Sequence, residues 1–359
     1  MYKYNNVRKV ICISLLISLL ICPISIHAID ISDAKAAILI DQKSKCVLYE
    51  RNADTKLPMA STTKIMTALT ALCYASEDKV ITVPKCAVGT EGTSASLIEG
   101  EPLTLKELLY ALLLQSANDA AVTIAVGIAG SVEGFAVLMN SKAREIGLCS
   151  THYDNPHGLP SETHYTTARD LAISTAYALE NETISSIVAS KKATIPYGDS
   201  GHRYLTNHNK MLSIYEGADG VKTGFTKASG RCLVSSATRD SMKLIAVTLN
   251  SKNDWAEHTK MLDYGFENFK TYSSKDISLT SLILPSADGK YVFLEADERY
   301  FTLKKDEDVG MIKAKYEYPR FIFSYPKKRV LGKIKYYKNC TLIAQSLLHV
   351  KENTIQSPK

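Results

Sequence analysis

Long hydrophobic runs are absent from this chain after its first 28 residues, so no membrane-spanning helix is expected in residues 29–359. Within residues 1–28, the basic residues Lys3, Arg8 and Lys9 precede a mostly apolar run over 10–22, and Ala28 offers a small residue for cleavage. A run of 13 residues is shorter than the ~20 residues that span a bilayer. The pattern predicts a secretory signal peptide, residues 1–28; the alternative is an uncleaved signal that anchors the protein.

Two sequence motifs that are typical of metal sites and redox-active cysteine pairs are also missing, since the sequence contains no C-x-x-C and no H-E-x-x-H. Cys12 and Cys22 lie in the signal segment, and the other six cysteines are scattered: Cys46, Cys73, Cys86, Cys149, Cys232 and Cys340. No disulfide pairing is predicted. Most of the six lie in apolar runs, where we expect small buried hydrophobic residues.

A strong excess of charge is lacking as well. The net charge of +6 falls to +3 when the three basic residues of the signal segment are removed. This balance does not favour a nucleic-acid partner and is compatible with an anionic cell wall. A chain of 359 residues, 45% of them apolar and 22% charged, has the composition of a globular protein with two or three domains.

The order of periodic segments predicts an α+β domain. Apolar runs at 36–40 and 46–49 predict a β-hairpin, and runs at 232–237 and 244–249 predict a second strand pair, followed by a helix that Asn253 or Asp254 caps. Helical patterns fill the middle of the chain, so the sheet is expected to use strands from both ends of the segment.

Three sequence signals mark the starts of the middle helices. Thr104 and Glu107 form a capping box, Ser131 begins a second helix, and Thr167 with Asp170 begins a third. Beyond Lys270, short β-rich runs continue to about residue 350 and predict a small all-β domain. We therefore expect a signal peptide at 1–28, a catalytic domain at 29–270 and a β-rich accessory domain at 271–359.

Ser61 and Lys64 are the first candidate catalytic residues. They stand three positions apart where an apolar helical pattern begins, and side chains at i and i+3 share one helical face. A lysine whose pKa is lowered by burial or by nearby charge can take the proton of a serine hydroxyl and so make it a nucleophile. The alternative is that Ser61 is only a helix N-cap and Lys64 a solvated surface residue.

Two further short motifs follow in order, Ser116-Ala117-Asn118 between two helical segments and Lys222-Thr223-Gly224 on a predicted strand. Each is weak alone, but the three together, each in its expected setting, are specific. With them the chain resembles the penicillin-binding D-alanyl-D-alanine carboxypeptidases over about residues 36–269. The segments 155–159 and 164–171 look like further landmarks of that family, and the β-rich C-terminal part resembles its accessory domain.

The resemblance implies a β-lactamase/transpeptidase-like fold: a sheet flanked by helices, with an inserted helical lobe, followed by the small all-β domain. It also implies the chemistry. Ser61 attacks the penultimate D-Ala carbonyl of a peptidoglycan stem peptide ending in D-Ala-D-Ala, Lys64 is the general base, and Ser116 relays a proton to the leaving D-Ala. Asn118 binds the peptide backbone and positions Lys64.

The same resemblance assigns the remaining substrate-binding residues. Lys222 supplies positive charge and Thr223 binds the terminal carboxylate, while Gly224 lets the substrate lie against the strand. The amides of Ser61 and Phe225 form the oxyanion hole. The middle motif is S-A-N rather than S-D-N, which should leave Ser116 and Asn118 unaffected.

The family resemblance also implies no cofactor and no metal, acylation and inhibition by β-lactams, and action outside the cytoplasm at the cell wall or the outer face of the membrane. Membrane association would come from an uncleaved signal segment. No glutamate is well placed to activate a deacylating water, since Glu162 and Glu182 have unsuitable surroundings, so rapid β-lactam hydrolysis is not expected.

Three other functions remain open at this stage. A zinc peptidase would use the histidines at 152, 157, 164, 202 and 208, although their spacing fits neither one helical face nor one strand face. A penicillin-binding sensor would react once without turnover, and a serine β-lactamase would release its acyl group quickly.

Overall fold

The computed structural model describes residues 29–359 except 199, 280, 288–290, 324–329 and 352–359. The predicted signal segment at 1–28 lies outside the described residues. The sequence pairs Asp288-Gly289 and Tyr325-Pro326 predict turns between the β-rich runs, and these pairs also lie outside the described residues. Ile31–Lys359 form one compact unit.

The first part of this unit contains, in chain order, β1 Ala36–Asp41, β2 Val47–Arg51, α1 Lys64–Tyr74, β3 Val80–Thr82, β4 Pro102–Thr104, α2 Leu105–Leu113, α3 Asn118–Ala129, α4 Val132–Glu145, α5 Ala168–Ala178, α6 Glu182–Ala189, β5 Lys192–Tyr197, β6 Gly201–Thr206, α7 Met211–Ile214, β7 Ala218–Thr226, β8 Gly230–Arg239, β9 Met242–Ser251 and α8 Asp254–Asn268. The second part contains β10 Phe269–Ser273, β11 Ser281–Pro285, β12 Tyr291–Ala296, β13 Tyr300–Lys304, β14 Ile312–Glu317, β15 Val330–Lys338 and β16 Thr341–Val350.

The main sheet has the strand order β2-β1-β9-β8-β7 and is antiparallel throughout. The first hairpin pairs with the last strand before α8, which confirms that both ends of the segment build the sheet. Strand β7 lies at one edge. Its unpaired side is therefore available to the residues that surround Ser61.

Helices α2 to α6 lie between β2 and β7 in the chain. Helices α2, α3 and α4 pack on one another as the inserted helical lobe, whereas α5 packs against β1 and β9 of the main sheet and α6 packs against β7. The predicted capping box of Thr104 with Glu107 is confirmed, and so are the caps by Ser131 and Thr167. The sequence did not reveal α6 or the β5–β6 hairpin. Among the described residues no single helix has the length and apolar composition to cross a bilayer, although one bent pair, Asn118–Ala129 with Val132–Glu145, passes by length and composition alone.

Helix α8 begins at Asp254 with Asn253 at the N-cap position, but no side-chain capping hydrogen bond is present, so the predicted cap is wrong. The spacing of apolar residues predicts an inward stripe of Trp255, Leu262, Phe266 and Phe269, and this prediction is partly wrong. Leu262 is buried, but Phe266 is half-buried, Phe269 already belongs to β10, and Trp255 is half-buried and lines a cavity beside Ser61.

The C-terminal part is the expected all-β domain, with a sheet of order β11-β12-β16-β15-β14 and a separate β10–β13 pair. Its own apolar core includes Leu294, Ile334 and Leu348. The Ser44 and Thr302 hydroxyls lie 2.6 Å apart and Thr271 donates to Asp41 over 2.9 Å, so hydrogen bonds join it to the first hairpin.

The expectation of buried cysteines is wrong for most of the six. Cys232 is buried, Cys46 is half-buried, the other four are exposed, and all six are free. An apolar run contains residues on both faces of a helix or strand, so membership of the run does not decide which face a cysteine occupies.

The turn at 155–160 packs directly beneath the residues around Ser61. The Asn155 side chain accepts from the amide of Gly158 over 2.7 Å and donates to the carbonyl of Leu159 over 3.0 Å. Gly158 has a φ of +91°, and a Cβ there would lie 1.9 Å from the carbonyl oxygen of Ala60. Only glycine allows the two backbone segments to approach this closely.

Replacing Gly158 by alanine should therefore destabilise the protein more than the same change at Gly147, which also has a positive φ, +83°, but has open space within 4 Å of where a Cβ would lie. We expect Gly147→Ala to cost about 1–2 kcal/mol from the left-handed backbone, and Gly158→Ala about 1–3 kcal/mol more from the clash. Urea denaturation of both variants measures the difference. Equal losses would show that the turn relaxes freely.

Candidate active site

Ser61 lies in a short 3-10 turn, Ala60–Thr63, immediately before α1. It is not an N-cap, since no side-chain capping bond is present at the start of either helix. Thr62 donates to the carbonyl of Met59 over 2.6 Å, and Thr63 donates to that of Ala60 over 2.7 Å. The turn is thus held by buried threonine hydroxyls, and it presents Ser61 to the cavity.

The ammonium nitrogen of Lys64 contacts Ser61 as predicted. Its Nζ lies 3.0 Å from Ser61 Oγ, 2.7 Å from Asn118 Oδ1 and 2.8 Å from the carbonyl oxygen of His157. Lys64 is fully buried, so the alternative of a solvated surface lysine is wrong. The 155–159 landmark therefore has a local function, because it supplies a carbonyl that fixes the lysine.

Burial and charge both act on the protonation of Lys64. Burial, the larger effect, and the positive charge of Lys222 lower the pKa of Lys64 well below its usual value, while Asp119 acts in the opposite direction. Two of its N–H groups are taken by Asn118 and His157. In the neutral amine, which keeps two N–H groups, the lone pair is then left to face the Ser61 hydroxyl. This arrangement can accept the serine proton.

Ser116 and Asn118 occupy the bend between α2 and α3. Ser116 is nearly buried with a left-handed φ of +63°, lines the cavity, and directly precedes the N-cap residue of α3. Asn118 donates through Nδ2 to the carbonyl of Glu91 over 2.5 Å. Its other amide atom accepts from Lys64, so the side chain connects the lysine to the 89–100 loop.

Asp119 is a site residue that sequence reasoning missed. Its carboxylate accepts from the Ser94 hydroxyl over 2.5 Å and from the amides of Ala95 and Leu97, both over 3.1 Å. It thereby fixes the loop that carries Thr93 into the cavity. The only sequence signal was the acidic residue in the first turn of a helix.

Strand β7 places the Lys222-Thr223-Gly224 motif beside the Ser61 turn. A Cβ on Gly224 would lie 3.1 Å from the amide nitrogen of Ser61, so the strand passes this amide closely. Phe225 follows it and is largely exposed at the cavity. Lys222 is buried, donates to the carbonyl of Thr223 over 2.9 Å, and has its pKa lowered to about 7 by burial.

A cavity of about 540 Å³ opens above these residues. Its lining comprises Ser61, Thr93, Ser116, His208, Lys210, Thr223, Gly224, Phe225, Arg231, Cys232, Asp254 and Trp255. Four of the predicted residues face the cavity together with Ser61, while Lys64, Asn118 and Lys222 lie behind it as buried polar residues.

Arg231 is a second residue of the site that the sequence did not reveal, and it lines the cavity. It lies opposite Phe225 on the neighbouring strand. Its Nε and Nη2 donate to the two carboxylate oxygens of Asp254 over 3.0 and 2.7 Å, and its guanidinium lies 5.8 Å from the Trp255 ring. This pairing holds the guanidinium at the cavity that Thr223 also lines, and only the adjacency of β8 and α8 brings Arg231 and Asp254 together.

Two of the histidines, His157 and His164, occupy buried structural positions, while His208 lines the cavity. His164 Nε2 lies 2.8 Å from the Thr63 hydroxyl, and burial lowers its pKa to about 4. Burial, with Lys64 and His164, lowers the pKa of His157 to about 3. No group of three or more His, Cys, Asp or Glu side chains positioned to hold a metal ion occurs within the described ranges.

Comparison with known proteins agrees with this geometry. Residues 25–253 match the model of peptidase family S11, described as D-alanyl-D-alanine carboxypeptidase. The D-alanyl-D-alanine carboxypeptidase DacF of Bacillus subtilis is 33% identical over 89% of this chain and 86% of its own length. DacC of Escherichia coli is 33% identical over 89% of this chain and 84% of its own length.

Among solved structures, penicillin-binding protein 5 of Haemophilus influenzae aligns with a TM-score of 0.73 and 27% identity, covering 90% of this chain and 97% of its own. The alignment thus includes the C-terminal part. Together with the serine–lysine pair at the cavity, these similarities show that the chain belongs to the D-alanyl-D-alanine carboxypeptidases, the low-molecular-mass penicillin-binding serine peptidases.

Proposed function

We propose that this carboxypeptidase removes the terminal D-alanine of peptidoglycan stem pentapeptides through an acyl-Ser61 intermediate. One observation carries the proposal: a fully buried Lys64 lies 3.0 Å from the Ser61 hydroxyl and is held there by Asn118 and His157. A lysine in this setting can be neutral and can accept a proton at once.

In the acylation step, Ser61 Oγ attacks the carbonyl carbon of the penultimate D-Ala while Lys64 Nζ takes its proton. The developing oxyanion receives hydrogen bonds from the amides of Ser61 and Phe225. A Cβ on Gly224 would lie 3.1 Å from the amide nitrogen of Ser61, so the strand passes close to this amide. Phe225 is the next residue on the strand, and this supports the amides of Ser61 and Phe225 as the two donors.

The C–N bond then breaks, and the nitrogen of the leaving D-Ala takes up a proton by way of Ser116. The position of Ser116 on the cavity wall supports this relay. Water attacks the acyl-enzyme in the second step, with Lys64 again as the base. A β-lactam enters by the same attack, and its acyl group remains on Ser61 for longer.

Recognition of the terminal carboxylate is assigned to Thr223 and, in addition, to Arg231. Both line the cavity with Ser61. Asp254 engages Nε and Nη2 of Arg231, and the remaining Nη1 can donate to an incoming carboxylate. Lys222 is set behind the strand, where its charge acts on both the carboxylate and Lys64.

Slow deacylation of β-lactams is expected because the cavity offers no unpaired carboxylate among the described residues that line it. Asp254 is the one acidic residue of this lining, and its carboxylate is bound to Arg231. Rapid turnover by a serine β-lactamase is therefore not proposed. Turnover of the pentapeptide distinguishes this enzyme from a sensor that reacts once.

The proposal extends to where the enzyme works and how it is divided. Residues 1–28 would direct export, leaving a catalytic domain at 29–270 and an accessory domain at 271–359 outside the cytoplasm. The junction near residue 270 is supported by the change from α8 to β10 there.

Replacing Ser61 by alanine should abolish the covalent adduct with benzylpenicillin and lower D-Ala release from a pentapeptide at least about a thousandfold, because no other group replaces the nucleophile. Intact-protein mass spectrometry with peptide mapping measures the adduct. Ser213→Ala, at an exposed serine in α7, is the matched control and should keep both activities. An adduct that persisted in Ser61→Ala would contradict the mechanism.

The pH dependence of acylation should follow the neutral form of Lys64. The rate rises as pH passes upward through its pKa, and Lys222 lowers that pKa. In the Lys222→Gln variant, the acidic limb of the pH–rate profile should therefore move to higher pH, whether or not the maximal rate also changes. The measurement is the second-order rate constant of benzylpenicillin acylation between about pH 5 and 9, a range in which His157 and His164 stay neutral.

Lys210→Gln is the control for this experiment. Lys210 lines the same cavity but is exposed, so solvent screens its charge and the limb should move much less. A limb that stays in place in Lys222→Gln would show that Lys222 does not act on the base.

Replacing Arg231 by glutamine should lower kcat/KM for a peptide that ends in a free D-Ala carboxylate by about ten- to a hundredfold, the loss of one charge-assisted hydrogen bond. For the same peptide with an amide terminus, the variant should differ little from the wild type. Arg239→Gln, at an arginine 3.9 Å from Asp263 and outside the cavity, is the control. If Arg231→Gln still preferred the carboxylate by the wild-type ratio, Arg231 would not recognise it.

A further inference from the structure

One end of the C-terminal sheet carries a group of exposed aromatic side chains, which we name the distal aromatic cluster: Tyr291, Tyr318, Phe321 and Phe323. Their exposed fractions are 42%, 38%, 44% and 85%. Large apolar side chains that are exposed together mark an interaction surface more often than isolated ones do.

The exposure of the two phenylalanines is built into the backbone. Ile322, between them, is buried in the C-terminal core, and its amide donates to the carbonyl of Pro285 over 3.2 Å. Its own carbonyl accepts from the amide of Ala287 over 3.0 Å. Since neighbouring side chains in extended backbone point to opposite sides, Phe321 and Phe323 face outward, with ring centroids 5.5 Å apart.

The strands next to the cluster are positively charged. Glu317, at the end of β14, has Lys335 at 2.9 Å and Lys333 at 3.6 Å, and Lys315 also lowers its pKa. Arg320 is exposed in the loop beside Phe321. Three lysines thus act on one carboxylate, and Arg320 adds an exposed positive charge nearby in the chain, so this end of the sheet attracts an anionic surface.

The cluster lies at the end of the sheet that points away from the catalytic domain. Tyr291 begins β12 opposite Pro285, and the strand then runs to Ala296. The chain continues into β13, whose Thr302 hydroxyl contacts Ser44 in the first hairpin of the catalytic domain. A surface that docks at the cluster would leave the cavity at Ser61 clear.

We propose that the distal aromatic cluster docks this protein onto the surface of an anionic lipid bilayer. Aromatic rings insert at the level of the lipid headgroups, and lysine and arginine beside them bind anionic lipids. The inference is independent of the proposed reaction, because it involves no residue of the cavity.

Vesicle binding of the chain from Ile29 onward tests the proposal; this form keeps the compact unit intact and removes the apolar leader. The double variant Phe321→Ser with Phe323→Ser is compared with Val137→Ser with Ile214→Ser, which removes side chains 65% and 60% exposed on the catalytic domain. Vesicles contain equal parts phosphatidylglycerol and phosphatidylcholine, or phosphatidylcholine alone.

We expect the parent chain to bind the anionic vesicles, less so at high salt, and to bind phosphatidylcholine weakly. The Phe321/Phe323 variant should lose at least about tenfold in partition coefficient and the control pair less than about twofold. Unchanged binding in the Phe321/Phe323 variant would overturn the proposal. So would a parent chain that ignores both vesicles, or one whose cluster instead forms a dimer that sedimentation velocity detects.

A local reporter gives a second test in the full chain, with its leader present. The sequence contains a single tryptophan, Trp255, which lines the cavity at Ser61. Phe323→Trp adds a second tryptophan. Lipids that are brominated in their acyl chains should quench the fluorescence of this added tryptophan, while the fluorescence of the wild type should be unaffected. No additional quenching in the variant would contradict insertion of the cluster. Acylation by benzylpenicillin checks the fold in both tests, so failure of docking is separable from failure of the proposed reaction.

Discussion

The burial of one amine at Lys64 is the constraint on which the site depends. A lysine removed from water is costly as an ammonium ion, and this cost lowers its pKa and makes it available as a base. The amine must nevertheless be oriented. Asn118 and the carbonyl of His157 provide two acceptors, and Ser61 occupies the third direction. Segments from α1, α3 and the 155–160 turn therefore have to meet at one nitrogen atom.

Close backbone approach makes this meeting possible. Gly158 allows the 155–160 turn to lie against the carbonyl of Ala60, and Gly224 allows β7 to lie against the amide of Ser61. Ala60 and Ser116 adopt left-handed φ values of +47° and +63°, a conformation that is uncommon for non-glycine residues and is concentrated at functional sites. The packing around the turn maintains this strained backbone conformation, and in this conformation Ser61 faces the cavity.

Electrostatics in the site are divided between buried and accessible cations. Lys64 and Lys222 are buried and have lowered pKa values, which suits the proposed roles of Lys64 as the base and of Lys222 as the charge that acts on it. Arg231 is bound to Asp254 and lines the cavity, where it is the cation proposed to bind the substrate carboxylate. The buried histidines nearby stay neutral and act as hydrogen-bonding supports, as His164 does for Thr63.

Features with local signals could be predicted from the amino-acid sequence. Helix caps at Thr104, Ser131 and Thr167 depend on residues within one turn, and the spacing of Ser61 and Lys64 depends on one turn as well. The α+β order and the approximate position of the three motifs followed from the same local patterns.

Packing between segments that are distant in the chain determined the features of the site that the sequence did not predict. It is the reason that His157 fixes Lys64, that Asp119 fixes the 89–100 loop, and that Arg231 is held at the cavity by Asp254. It also left four cysteines and Phe323 exposed. Each of these features depends on which face of an element packs against a segment far away in the chain, and local periodicity does not contain that information.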